Sequence, residues 1–169
     1  MDFSKRIRFN PEILKNYFQD SVRIACTKCK RYGISAACPP YLKSIEYYRK
    51  LLSSKQVGLL VINRYEITDL KKWKKLGRDS SEDLRLELIR IKTFIKTFNT
   101  ASIIFGAGSC KACKVCTIPC SNPIEAIIPI EGLGINVIRL VKAVAGIQIK
   151  FPVEKQGYFY RVGMVLYND

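Results

Sequence analysis

Two periodicities govern where this chain places its apolar residues, and their alternation sketches a layered fold. Val57–Tyr65 (VGLLVINRY) is a nearly unbroken apolar, β-branched run, the pattern of a strand covered on both faces. Leu84, Leu88, Ile91, Ile95 and Phe98 then recur at helical spacing, one stripe of a long helix. Ser81 stands where a cap belongs, with Glu82 and Asp83 in the first turn. Ala101–Phe105 (ASIIF) is a second buried strand. Strand, helix and strand at this spacing predict a parallel crossover unit.

Shorter elements flank that unit. Pro11–Asp20 reads as a helix, with Asn10 as cap and Pro11 at the first helical position. Lys43–Leu52 reads as another. Glu125–Leu133 and Val137–Ala145 read as two short helices parted by Gly134, with Asn136 capping the second and Gly146 ending it. Tyr158–Tyr167 (YFYRVGMVLY) is β-rich and is expected to close the sheet as a further strand. The expected fold class is α/β: a small sheet with a crossover helix, in a single domain over residues 1–169, with cysteine-rich loops forming an iron–sulfur lobe at one edge.

Hydrophobic residues make up 48% of the chain, enough for a core. Met1–Asn10 is charged from the start, and no apolar run reaches bilayer length. Neither a secretory signal nor a membrane span is expected, and the expected location is the cytoplasm.

Cysteine turns this fold into a chemistry. Cys26, Cys29 and Cys38 lie in a loop at 26–40 that Pro39 and Pro40 end. Cys110, Cys113, Cys116 and Cys120 lie in a loop at 106–123, spaced C-x2-C-x2-C-x3-C. Thiols three residues apart suit an iron–sulfur cubane, because one short turn can present three sulfurs to three irons. An odd count and close spacing, without a secretory signal, argue against a disulfide framework. The chain has no histidine, which removes His-ligated zinc, Rieske-type ligation and Ser-His or Cys-His catalysis. The expected cofactor is a 4Fe–4S cluster, one or two per chain. Zinc on Cys26, Cys29, Cys110 and Cys113 is the weaker alternative, since it strands three thiols.

In ferredoxin-type runs the fourth cysteine precedes proline and serves a different cluster. Here Cys38 precedes Pro39, while Cys120 precedes Ser121. One arithmetic solution sets Cys38 with Cys110, Cys113 and Cys116, leaving Cys26, Cys29 and Cys120 to a second cluster with one iron lacking a thiolate. The other is a single cluster with spare thiols. The second loop follows the carboxyl end of a strand, where α/β sheets place ligands. Gly33, Gly106 and Gly108 either make turns or let backbone N–H groups approach sulfur. Lys111 stands where a dinucleotide fingerprint needs its third glycine, so that motif is not supported.

Twenty-nine basic residues face fourteen acidic ones, a net charge of +15, with +12 of it in the first hundred residues. Such a field favours anionic partners or substrates, nucleic acid included; the plainer reading is a solvated basic surface. Lys28, Lys30, Arg31, Lys111 and Lys114 sit beside the thiols and offset an anionic cluster. The stretch Lys71-Lys72-Trp73-Lys74-Lys75, with Arg78 beyond, suits phosphate contact with Trp73 stacked on a base, or a linker with Trp73 folded onto the core. Tyr41, Tyr47 and Tyr48 either shield the first cysteine loop or serve as ordinary core and surface residues.

Taken together, Cys26-x2-Cys29, Tyr32-Gly33, Cys38-Pro39-Pro40, Gly108-Ser109-Cys110-x2-Cys113-x2-Cys116-x3-Cys120 and Pro129-x-Glu131-x2-Gly134-Ile135-Asn136-Val137 form a recognisable set. The chain resembles an uncharacterised family of predicted metal-binding proteins found mainly in anaerobic archaea and bacteria. The resemblance runs from about Cys26 to the end. It implies iron–sulfur or other metal binding through these cysteines, and no settled reaction. Three functions follow as expectations. The first is an electron-transfer module serving a redox partner protein in an anaerobe. The second is an enzyme that uses an iron without a cysteine ligand for sulfur transfer or Lewis-acid chemistry on an anionic substrate. The third is a structural zinc protein that binds nucleic acid through Lys71–Arg78.

Overall fold

Alternate residues of Val57–Ile67 (β2) are buried on opposite faces of one sheet, which is why Val57–Ile62 is apolar without a break. Leu60 and Ile62 join one core, and Val61 joins the other. The computed structural model describes residues 1, 3–98, 100–149 and 157–169. The other strands are Phe3–Phe9 (β1), Ser102–Gly106 (β3), Ile128–Pro129 (β4) and Gly157–Tyr167 (β5). They form a mixed five-stranded sheet in the order β1-β2-β5-β3-β4. Among the described residues only β3 and β4 pair in parallel.

The crossover is therefore split. β2 and β3 run the same way and are joined by a helix, but β5 lies between them, antiparallel to both. Tyr158–Tyr167 is a strand as expected, yet it forms the middle of the sheet rather than its edge. Val162, Met164 and Leu166 face one core, while Gly163 and Val165 face the other. β1 carries no strong apolar run, because it is an edge strand whose exposed positions hold Ser4, Lys5, Arg6 and Arg8.

Among the described residues there are four α-helices: Asp20–Ala25 (α1), Ile45–Ser53 (α2), Trp73–Lys96 (α3) and Val137–Ala145 (α4). α3 lies on one face, with Leu84, Leu88 and Ile95 against Val61, Ile104 and Val165. Phe98 falls beyond the helix and is exposed. The start at Ser81 is overturned. α3 begins eight residues earlier because Trp73 and Leu76 pack on Tyr65, Ile67 and Phe159. The Ser81 hydroxyl donates instead to the Gly77 carbonyl, 2.9 Å away. Lys71–Lys75 is thus the entry to a helix rather than a linker, and Trp73 stands edge-on to Phe159 at 5.1 Å.

The opposite face carries α2, α4 and a 3-10 helix at Pro11–Tyr17, with Leu14, Leu52, Leu133, Leu140 and Val141 buried in one cluster. Asn10 caps that 3-10 helix as expected, accepting from the Glu12 N–H at 2.9 Å. Phe18 and Gln19 are extended, so the helix expected through Asp20 is two elements. α4 matches its expected span, with Asn136 accepting from the Arg139 N–H and Gly146 left-handed. Glu125–Leu133 is not an α-helix. Pro129 has no N–H to donate, so Ile128–Pro129 pairs at the edge of β3 and Ile130–Leu133 makes a 3-10 turn. No helix among the described residues is long and apolar enough to cross a membrane.

Candidate metal centre

Local chain folding creates the first thiol group. α1 runs into a 3-10 turn at Cys26–Lys28, and the Cys29 N–H donates to the Cys26 carbonyl at 3.0 Å. The loop then closes on itself. The Gly33 N–H donates to the Pro39 carbonyl, Cys38 to Ser35, and the Tyr41 hydroxyl to the Gly33 carbonyl. Tyr41 therefore braces this loop, whereas Tyr48 is a core residue and Tyr47 is exposed. The base of α1 is pinned to the 131–137 segment. The Gln19 N–H donates to the Gly134 carbonyl at 2.7 Å, and Asn136 Nδ2 to Gln19 Oε1 at 2.9 Å. Gly134 is left-handed, and a Cβ there would meet Ile45 Cδ1 at 2.9 Å.

Cys26, Cys29 and Cys38 line one cavity of about 380 Å³. Its position follows from the sheet. β3 pairs with β5 only as far as Phe105 opposite Met164, so Tyr160, Arg161 and Val162, paired with β2 on their other side, line the cavity where β3 would continue. Ser109 and Glu131 line it too. Burial pushes the Cys26 thiol up, and the charges of Glu131 and Cys29 act the same way. Burial also raises Cys38, with Cys29, Cys26 and Cys110 adding to it. Burial likewise raises the Glu131 carboxyl, against the opposing charge of Arg161.

The second group stands apart. Cys110, Cys113, Cys116 and Cys120 line a separate small space, together with Ala36 and Ala37 of the first loop. The Ala36 N–H donates to Cys116 Sγ at 3.4 Å and the Ala112 N–H to Cys110 Sγ at 3.5 Å. Cys113 and Cys116 are exposed, Cys110 and Cys120 half-buried. The structure thus groups Cys38 with Cys26 and Cys29, and Cys120 with the other three of its own run. All seven thiols are free.

Among the described residues, no three Cys, Asp or Glu side chains converge closely enough to hold one metal ion. The donor set nonetheless fits a thiophilic metal or cluster: seven thiols, no imidazole, and N–H groups already on two sulfurs. Ser35, buried in the first loop, turns its hydroxyl toward Cys38 and opposes the upward push of burial on that thiol.

Sequence reasoning did not single out Arg161 and placed Glu131 only in a supporting motif, yet both line the cavity. A lone cation inside the apolar YFYRVGMVLY run was the available signal for Arg161. No curated protein and no solved structure matches the chain. The family described as predicted metal-binding protein (DUF2284) has a model that matches residues 14–167, a span holding all seven cysteines, Glu131 and Arg161, and the chain belongs to that family.

Proposed function

We propose that this chain is an iron–sulfur protein in which Cys110, Cys113, Cys116 and Cys120 hold a 4Fe–4S cluster and pass single electrons to a partner protein. One observation carries the reading: a single loop gathers those four thiols around one small space, with main-chain N–H groups on two of the sulfurs. Such a cluster supplies a one-electron couple when bound. The N–H groups of Ala36 and Ala112 offset thiolate charge, as outer-shell donors do. Exposure of Cys113 and Cys116 leaves the centre where a partner can approach. The chain's net charge of +15 favours an acidic face on that partner. EPR of the reduced protein tests this. Cys113→Ser is expected to remove one cluster signal and Cys29→Ser to retain it. An unchanged spectrum in Cys113→Ser contradicts the assignment.

A second reading, an enzyme, is favoured by the other cavity. Cys26, Cys29 and Cys38 offer three thiols and no fourth, with Glu131 beside them and about 380 Å³ of space. A metal centre held by three thiolates keeps a position for a small molecule, the requirement for sulfur transfer or Lewis-acid chemistry on an anionic substrate. Glu131 stands where a proton could be given or taken. Adding sulfide to the reduced protein is expected to shift the spectrum that Cys29→Ser removes. No shift argues for a closed site.

A further inference from the structure

We propose that the cavity lined by Cys26, Cys29 and Cys38 binds a small organic anion, and that the Arg161 guanidinium is its anchor. This rests on the second reading above, in which that cavity is the substrate site.

The first argument is the state of Arg161. It is half-buried on β5, and its Nε donates to Ser80 Oγ at 3.1 Å and its Nη2 to the Gly77 carbonyl at 2.9 Å. Both acceptors are neutral, and guanidinium has five N–H donors. Among the described residues no carboxylate forms an ion pair with it. Its neighbours are the Phe159 ring, 5.3 Å from the guanidinium carbon, and the charge of Glu131, which acts on it from beyond ion-pair distance. A half-buried cation with no ion pair of its own gains from an anion in the cavity.

The second argument is convergence. Arg31 lines the same cavity. Lys111 Nζ lies 3.4 Å from the Arg78 carbonyl, on the turn whose Gly77 carbonyl holds Arg161. Two cations in the lining, with Lys111 behind one of them, focus the field of the cavity on anions.

Much of the remaining lining is apolar, with Val137, Ile138, Ile149 and Val162, and Glu131 is its acidic residue. The volume, about 380 Å³, lies at the small end of ligand pockets, and a metal centre at the thiol end takes part of it. The ligand class that fits is a molecule of few heavy atoms, anionic at one end, with a short apolar body and a group reaching the thiols. Because two hydrogen bonds to α3 fix Arg161 before any ligand arrives, its remaining donors are preorganised.

The test uses three thiols of similar size as probes: mercaptoacetate, 2-mercaptoethanol and cysteamine. Each is titrated calorimetrically into the anaerobic protein, with iron counted on the same sample. Mercaptoacetate is expected to bind about tenfold more tightly than 2-mercaptoethanol, with cysteamine weakest, a gap of about 1.4 kcal/mol. In Arg161→Gln the ratio is expected to fall to about one with the iron count unchanged. Arg31→Gln, at an exposed position, is expected to lower the ratio in part and serves if Arg161→Gln does not fold. Equal binding of the three probes by the unaltered protein overturns the proposal, whether or not iron is present. A changed reduction potential in Arg161→Gln with the ratio intact also overturns it, since Arg161 then only balances cluster charge. Iron missing from Cys26, Cys29 and Cys38 while discrimination persists removes the metal reading and leaves the anion site standing.

Discussion

One methyl group added at Gly163 tests how α3 is seated on the sheet, and with it the position of Arg161 two residues earlier. A Cβ there would lie 2.8 and 2.9 Å from the two Leu88 methyls and 3.1 Å from Leu84 Cδ1. Leu88 and Leu84 are 0% and 1% exposed, so neither can swing into solvent. Overpacking of this kind costs about 1–3 kcal/mol. Alanine's smaller unfolded-state entropy returns about 0.5 kcal/mol, leaving a net loss of about 1–2 kcal/mol for Gly163→Ala. Leu88→Ala alone should cost about 3–4 kcal/mol, a fully buried leucine replaced by a void. In the double variant the new methyl occupies part of that void. Its cost should therefore fall short of the summed single costs by about 1–2 kcal/mol. Urea midpoints of anaerobic, equally metal-loaded variants measure this, provided the slope is constant, and the shared metal-binding contribution cancels. Additivity within about 0.5 kcal/mol would refute the packing of Leu88 against β5.

Iron counts of single-cysteine variants should follow the two cavities: Cys38→Ser should lose iron together with Cys26→Ser and Cys29→Ser, and Cys120→Ser with the other three, as read by iron analysis and EPR. Gly146→Ala should cost about 1 kcal/mol, because its φ of 68° is left-handed and no atom lies near the added methyl, so strain acts alone; a thermal melt measures it. Gly134→Ala should cost more, since its φ is 90° and the added Cβ also meets Ile45 at 2.9 Å. Glu82 is held below the ordinary carboxylate range, first by its hydrogen bond from Arg85. Its contribution is therefore present at neutral pH and lost as pH falls through that lowered range. In metal-free protein Glu82→Gln should cost less than about 1 kcal/mol at neutral pH, the pair being partly solvent-screened, and nothing in acid.

Elements buried on both faces, or striped on one, were legible: β2, the Leu84–Ile95 stripe of α3, and α4 with its two caps. Strand order was not, because nothing local distinguishes a central strand joined through loops from one that closes an edge. β5 holds its place through side chains on both faces, Met164 to one core and Val165 to the other. The start of α3 was hidden because aromatic packing by Trp73 outweighs the local cap signal at Ser81. The cysteines announced a metal centre, while their grouping depends on loop closure. Cys38 precedes proline as a cluster-sharing cysteine would, but the Gly33–Pro39 and Ser35–Cys38 hydrogen bonds fold it back toward Cys26 and Cys29. Arg161 carries no motif and Glu131 only a supporting one; both come to line the cavity because β5 outruns β3.

Iron, acid-labile sulfide and zinc per chain, counted on anaerobically purified protein, test the central claim most directly. The account predicts about eight irons with matching sulfide, one cluster for each thiol group, and no stoichiometric zinc. Zinc without iron or sulfide would contradict it.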